Sequence, residues 1–130
     1  MPSTPKPGAV VFAKGLERLA EFYEQVLSLS VTRAESDHVV LESEEFQLVV
    51  HAIPEHIASS ISISVPPEVR EETPIKLLFS VASIAEARSL APSLGGHVDP
   101  SQREWEAHGI RACDGCDPEG NVFQLRQNVP

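Results

Sequence analysis

The chain has 130 residues, 42% of them apolar and 22% charged, with a formal net charge of −9. That length fits one domain with a core that needs no disulfide or metal staple. The acidic balance and the lack of any Lys/Arg run exclude nucleic acid and anionic membranes as expected partners, because both demand clustered cations, and no apolar stretch approaches the ~20 residues of a membrane helix.

Residues 1–8 hold three prolines and no apolar signal core, so the chain is expected to be cytoplasmic. Residues 9–13 (Ala-Val-Val-Phe-Ala) read as a strand. Leu16, Leu19, Ala20, Tyr23, Val26 and Leu27 then recur at helical spacing and predict an amphipathic helix. Strands are expected over residues 29–33, 38–42 and 46–52. Residues 53–74 carry Pro54, Pro66, Pro67 and Pro74 with Glu68, Glu71 and Glu72, and read as a linker. Within it, Ile61 to Val65 alternates and could add an edge strand.

The pattern then repeats. Residues 76–81 form an apolar strand, and Ser83 with Glu86 makes a capping box at the start of a second helix. Ile84, Ala87, Leu90, Ala91 and Leu94 give its buried face, and Gly95-Gly96 should end it. Further strands are expected near His97 and over residues 109–113 and 122–126, with a turn from Asp114 to Asn121. The tripeptide Phe-Gln-Leu occurs at 46–48 and again at 123–125, at the same place in each half. The second half is about ten residues longer, a loop-sized excess assigned to residues 99–105. Cys113 and Cys116 flank Asp-Gly ahead of a turn, with no second cysteine pair. Reduced thiols are therefore expected in preference to a redox pair or a zinc knuckle.

Two segments carry a family resemblance. Gly15-Leu16-Glu17-Arg18, followed by Phe22-Tyr23 and Leu27, is similar to the Asp-Leu-Glu-Arg…Phe-Tyr…Leu-Gly run of the vicinal-oxygen-chelate superfamily, the glyoxalase/bleomycin-resistance/dioxygenase proteins. Asp117-Pro118-Glu119-Gly120-Asn121-Val122-Phe123-Gln124-Leu125 resembles its Asp-Pro-Asp-Gly-Asn-x-x-Glu-Leu. The resemblance implies an α+β fold: two βαβββ modules whose curved mixed sheets form a cup. Module one would span about 8–52, the linker 53–74 and module two about 75–127, within a single domain. It also implies pairing as a homodimer.

Metal-dependent relatives hold a divalent ion on the first and last strands of the modules, through His, Glu or Gln, as a Lewis acid. Those positions fall here on Gly8, Gln47, Lys76 and Gln124. Glycine offers no ligand atom, lysine is cationic, and glutamine is a weak neutral donor. Residues 1–16 contain no His, Asp or Glu that a shifted alignment could recruit. No metal or other cofactor is therefore expected. Strand alternation groups Val49 and His51 with Gln47, Val122 and Arg126 with Gln124, Leu78 and Ser80 with Lys76, and Val10 with Phe12. Val11, Phe46, Leu48, Val50, Leu77, Phe79, Phe123 and Leu125 would face the helices.

The expected ligand-binding set is Phe12, Gln47, His51, Lys76, Leu78, Trp105, Gln124 and Arg126. Trp105, on the long loop, would act as a lid or cover a sheet edge. Lys76 and Arg126 favour an anionic or carbonyl-rich ligand, whereas the net charge suits a cation. Four functions compete. The first is metal-free capture of a small molecule, as the bleomycin-resistance branch implies. The others are a metal-dependent lyase, isomerase or dioxygenase with atypical ligands; acid–base catalysis with His51 as base and Lys76 stabilising an enolate; and a scaffold without a ligand.

Overall fold

The computed structural model describes residues 5–130; Met1 to Thr4, part of the segment read above as lacking a signal core, lie outside the described residues. The first half runs β1 (Gly8–Ala13), α1 (Leu16–Val26), β2 (Ser30–Ala34), β3 (His38–Glu42) and β4 (Gln47–Ala52). Its sheet has the order β1-β4-β3-β2. β1 runs parallel to β4, which the α1 crossover permits, while β2·β3 and β3·β4 are antiparallel hairpins.

A single helical turn, α2 (Glu55–Ala58), follows Pro54. The second half runs β5 (Leu77–Ser80), α3 (Ile84–Leu90), β6 (His97–Val98), β7 (Trp105–Ala107), β8 (Ile110–Cys116) and β9 (Val122–Asn128). Its sheet has the order β5-β9-β8-β6, with β7 also on β8, and again its first strand pairs in parallel with its last. The chain is thus α+β, with two mixed sheets built on the same plan.

Four details differ from the sequence reading. β8 continues through Asp114 and Gly115 to Cys116, so the turn shrinks to residues 117–121. Every residue of β8 has a register partner on β9, and that pairing overrides the turn preference of Asp-Gly. α3 stops at Leu90 because Pro92 lacks an N–H and its ring clashes with the preceding turn. A 3-10 turn (Pro92–Leu94) then carries the chain to Gly95, whose φ of 90° closes the element as expected. Trp105 belongs to strand β7, not to a loop. Residues 61–65 join no ladder among the described residues, and Pro66-Pro67 directly beyond them cannot donate to one.

The core lies between the helices and the inner faces of both sheets. Leu48, Val50, Phe79, Phe123 and Leu125 are buried in it, and Val11, Phe46 and Leu77 pack against it, so all eight residues assigned to the helix side are there. α1 ties the halves together. Its Phe22 and Tyr23 rings lie 6.0 and 6.2 Å from Phe123 on β9, and Tyr23 lies 5.7 Å from Phe79 on β5. Each such buried ring contributes about 1.5–3 kcal/mol of transfer free energy, before chain entropy opposes it.

Candidate functional site

With the inner faces committed to the core, the residues of opposite parity turn outward. The predicted ligand-binding residues therefore divide by sheet. On the first sheet Phe12 pairs with His51 in register, with ring centroids 5.8 Å apart, and Gln47 sits four residues before His51. On the second sheet one row runs Leu78, Gln124, Asp114, and the next runs Ser80, Arg126, Ala112, Trp105. Lys76 directly precedes β5, with its ammonium 2.9 Å from Asp114 Oδ2. Among the described residues no hydrogen bond or ion pair links the first group to the second.

The four positions matching the family's metal ligands are poorly suited to a divalent ion. A Cβ on Gly8 would stand 2.0 Å from the Gln47 carbonyl oxygen, so no side chain of any kind fits there without moving the backbone. The Gln124 amide donates toward Asp114 Oδ1 at 3.4 Å, while its oxygen, the atom a metal would need, accepts from Arg126 Nε at 2.8 Å. Lys76 already neutralises Asp114. Gln47 donates toward Glu42 Oε1 at 3.5 Å, and Lys6 lies 3.4 Å from the same carboxylate. The Gln124 oxygen is thus engaged by a cation, and the Gln47 amide and the Lys76 ammonium are each tied to a carboxylate. The pairing of Lys76 also removes it as a free anion-binding charge.

The turn at residues 117–121 is a buried polar hub. Asp117 is fully buried, and its carboxylate accepts four hydrogen bonds: from Tyr23 Oη (2.6 Å), Asn121 Nδ2 (2.9 Å), and the backbone amides of Glu119 (2.8 Å) and Asn121 (3.0 Å). Burial raises the Asp117 carboxyl above its ordinary range, against the pull of these donors. Burial, reinforced by the charge of Asp117, lifts the Tyr23 hydroxyl well above 10. Glu119 crosses to the first half, where its two oxygens accept from Lys14 N (2.9 Å) and Gly15 N (2.8 Å). It thereby satisfies the amide of Gly15, the N-cap of α1, and that of Lys14 directly before it. Gly120, with φ of 86°, lets this turn lie against the linker: a Cβ there would stand 2.1 Å from Glu68 O.

Beside this hub lies a cavity of about 450 Å³. β1 and β5 are the outer strands of their sheets, and both line it, β1 through residues 9–12 and β5 through Leu77. The linker closes it with Ile53, Ile61, Arg70, Thr73 and Ile75, while Tyr23, Glu119, Asn121 and Val122 supply the remaining wall. Arg70 is held to the turn by its own N–H, which donates to Gly120 O at 2.9 Å, and by Nε to Glu119 O at 3.4 Å. Of the eight predicted residues only Phe12 lines this cavity. Arg70, Thr73 and Ile75 escaped the sequence reading because an arginine among Glu68, Glu71 and Glu72 reads as solvated charge. The paired motifs Phe22-Tyr23 and Asp117 to Asn121 were the available signal for the rest.

Residues 9–126 match the profile of the glyoxalase-like domain family. A glyoxalase/bleomycin resistance protein/dioxygenase family enzyme from Burkholderia phytofirmans PsJN superposes with a TM-score of 0.66 at 16% identity, covering 94% of this chain and 97% of that one. A glyoxalase/bleomycin resistance protein from Albidiferax ferrireducens T118 gives 0.67 at 13% identity, with coverage of 94% and 97%. The fosfomycin resistance protein FosX of Listeria monocytogenes gives 0.63 at 15% identity, with coverage of 100% and 94%. At such identities the likeness is one of fold. No curated protein matches the chain.

Proposed function

The chain belongs to the glyoxalase-like domain family, and from that premise we propose that it binds a small molecule without a metal at the family's ligand positions. The observation that carries this reading is the cavity of about 450 Å³, walled by apolar side chains with a few polar groups among them. That is the usual make-up of a small-molecule site. The terminal guanidinium nitrogens of Arg70 and the side-chain oxygen of Asn121 are the polar atoms left for a ligand, since the Tyr23 and Thr73 hydroxyls, the Glu119 carboxylate and Asn121 Nδ2 are occupied. The site suits a compact, largely apolar molecule with one hydrogen-bonding or anionic end. The resistance proteins among its structural neighbours support small molecules as the ligand class. The blocked Gly8 position, the engaged oxygen of Gln124 and the weak neutral amide at Gln47 support the metal-free part.

The same proposal includes a homodimer. Val10, Phe12, Leu78 and Trp105 are all about half exposed and lie on the outward sheet faces. A second copy laid across those faces would bury them. Phe12, Gln47 and His51 of one copy would then stand beside Lys76, Leu78, Gln124, Arg126 and Trp105 of the other, completing a cup that one chain divides.

Native mass spectrometry of untagged protein, purified without chelators, tests both parts. A dimer carrying an organic adduct that is lost in Ile75→Arg is the expected result. A monomer would sink the dimer. An empty protein whose amide spectrum stays unmoved by a library of small aromatic and carboxylate fragments would sink the binding site. An ion released by Gln47→Ala or Gln124→Ala would overturn the metal-free reading.

A further inference from the structure

The geometry points to a metal site outside the family positions: Asp37, His38 and His51 form a three-ligand seat for one divalent late first-row ion such as zinc, cobalt or nickel. His38 on β3 and His51 on β4 are direct register partners. Their rings stack at 5.9 Å with 8° between planes. Asp37, one residue before β3, reaches both imidazoles: Oδ1 lies 2.7 Å from His38 Nδ1, and Oδ2 lies 3.8 Å from His51 Nε2.

Three features suit this group to a metal. The tautomer of His51 is set, because its Nδ1 lies 2.9 Å from Ala52 O. A carbonyl only accepts, so Nδ1 carries the proton and the Nε2 lone pair faces Asp37. Anchoring of the distal nitrogen by a carbonyl is the usual support of a metal-bound histidine. Next, the donor atoms all lie within 4.8 Å of one another. An ion bound at about 2.0–2.2 Å to each requires only a modest side-chain rotation to draw them in. The side chains can make it, being 27%, 39% and 64% exposed for His38, His51 and Asp37. Finally, the only basic side chains within 4 Å of the Asp37 carboxylate among the described residues are these two imidazoles, so no lysine or arginine competes with a cation.

Two imidazoles and a carboxylate make a borderline donor set, which favours zinc, cobalt or nickel over calcium or magnesium. Three protein ligands at an exposed sheet end leave the remaining coordination positions to water or another small ligand, as in open metal sites. The seat lies four residues along β4 from Gln47, roughly 13 Å at strand spacing. It is therefore separate from the Gly8, Gln47, Lys76 and Gln124 positions. Phe12 stands between the two features, packed on His51 and lining the cavity.

The test is titration of Zn²⁺ alone into chelator-stripped, dialysed full chain by calorimetry, with Co²⁺ as the spectroscopic probe. The expected result is one ion per chain and a visible Co²⁺ band of nitrogen–oxygen type. His51→Ala and Asp37→Asn should each weaken binding more than about 100-fold, the upper end for loss of even an outer-shell partner, with an unchanged circular dichroism spectrum. His97→Ala should leave it intact, because His97 and Asp99, 3.3 Å apart, form an ordinary two-residue pair. Absence of stoichiometric uptake overturns the proposal, as does uptake indifferent to His51→Ala and Asp37→Asn. Uptake abolished by Gln124→Ala instead would return the ion to the family positions and overturn the metal-free reading as well.

Discussion

The Tyr23 hydroxyl donates to Asp117 Oδ2 at 2.6 Å, joining the first helix of the chain to the last turn. Tyr23→Phe leaves a buried carboxylate short of one donor and should lower stability by roughly 1–3 kcal/mol, measured by urea unfolding near neutral pH. The pH dependence follows from the raised hydroxyl. The folded chain keeps the Tyr23 proton to higher pH than the unfolded chain does, so the contribution is complete below about pH 10 and is lost as pH climbs through the folded value. Wild-type stability should begin to decline near pH 10 and go on falling above it, and Tyr23→Phe should flatten that decline. Because Tyr23 is the one tyrosine in the sequence, tyrosinate absorbance should appear only as the chain unfolds. A free titration near pH 10 would contradict the buried pair.

Glu119 supplies both oxygens that receive the amides of Lys14 and Gly15. Glu119→Ala leaves the Lys14 and Gly15 amides without this acceptor and should cost about 1–3 kcal/mol. Glu119→Gln, with one acceptor left, should cost less. Hydrogen exchange gives the local check: the Lys14 and Gly15 amides should lose protection in Glu119→Ala ahead of the rest of α1. An unchanged exchange pattern would show that α1 does not depend on this carboxylate.

Gly8 and Lys76 look like the simplest places to restore a family-type metal site, and Gly8 should resist. A β-carbon there meets the Gln47 carbonyl oxygen at 2.0 Å. Gly8→His is expected to lower stability by about 1–3 kcal/mol through overpacking. Combined with Lys76→His it should still bind no Co²⁺ through those positions. A new Co²⁺ band that survives His51→Ala in the double variant would show that the backbone can yield.

Cys113 and Cys116 are free and buried, and burial raises both thiols above the ordinary range. A thiol-specific colorimetric reagent near pH 8 should therefore react slowly with folded protein and stoichiometrically once urea is added. Rapid native labelling of either thiol would mean that the β8·β9 pairing opens readily.

The order of the main elements, β7 apart, and the inward parity of the first and last strand of each half were legible because period-two alternation and a 3.6-residue helical stripe survive in the sequence without tertiary help. The Phe-Tyr and Asp-Pro-Glu-Gly-Asn motifs also told the truth about the fold, although their residues serve mainly to join the halves. What stayed hidden depends on partners far away in the chain. Asp114 and Gly115 look like a turn until β6 and β9 pair beside them. Arg70 looks like a solvated charge until Gly120 accepts its amide. The Asp37, His38 and His51 group was within reach. His38 lies four residues before Glu42 and His51 four after Gln47, so a hairpin between those two residues sets the histidines opposite each other. Asp37 gave no sign of its own, since Ser36-Asp37 reads as turn.

The Glu119 carboxylate reaches Gly15 over a separation of 104 residues, and this bears on how the chain is made. A ribosome releases the N-terminal half first. During that interval α1 has no Glu119 at its start, no Asp117 for Tyr23, and no Phe79 or Phe123 for its aromatic face. The nascent first half is therefore a sheet with a sticky, half-finished helix, and it stays so until nearly the whole chain has emerged. Synthesis speed and chaperone cover across residues 53–119 should matter to yield more than the stability of the finished fold would suggest.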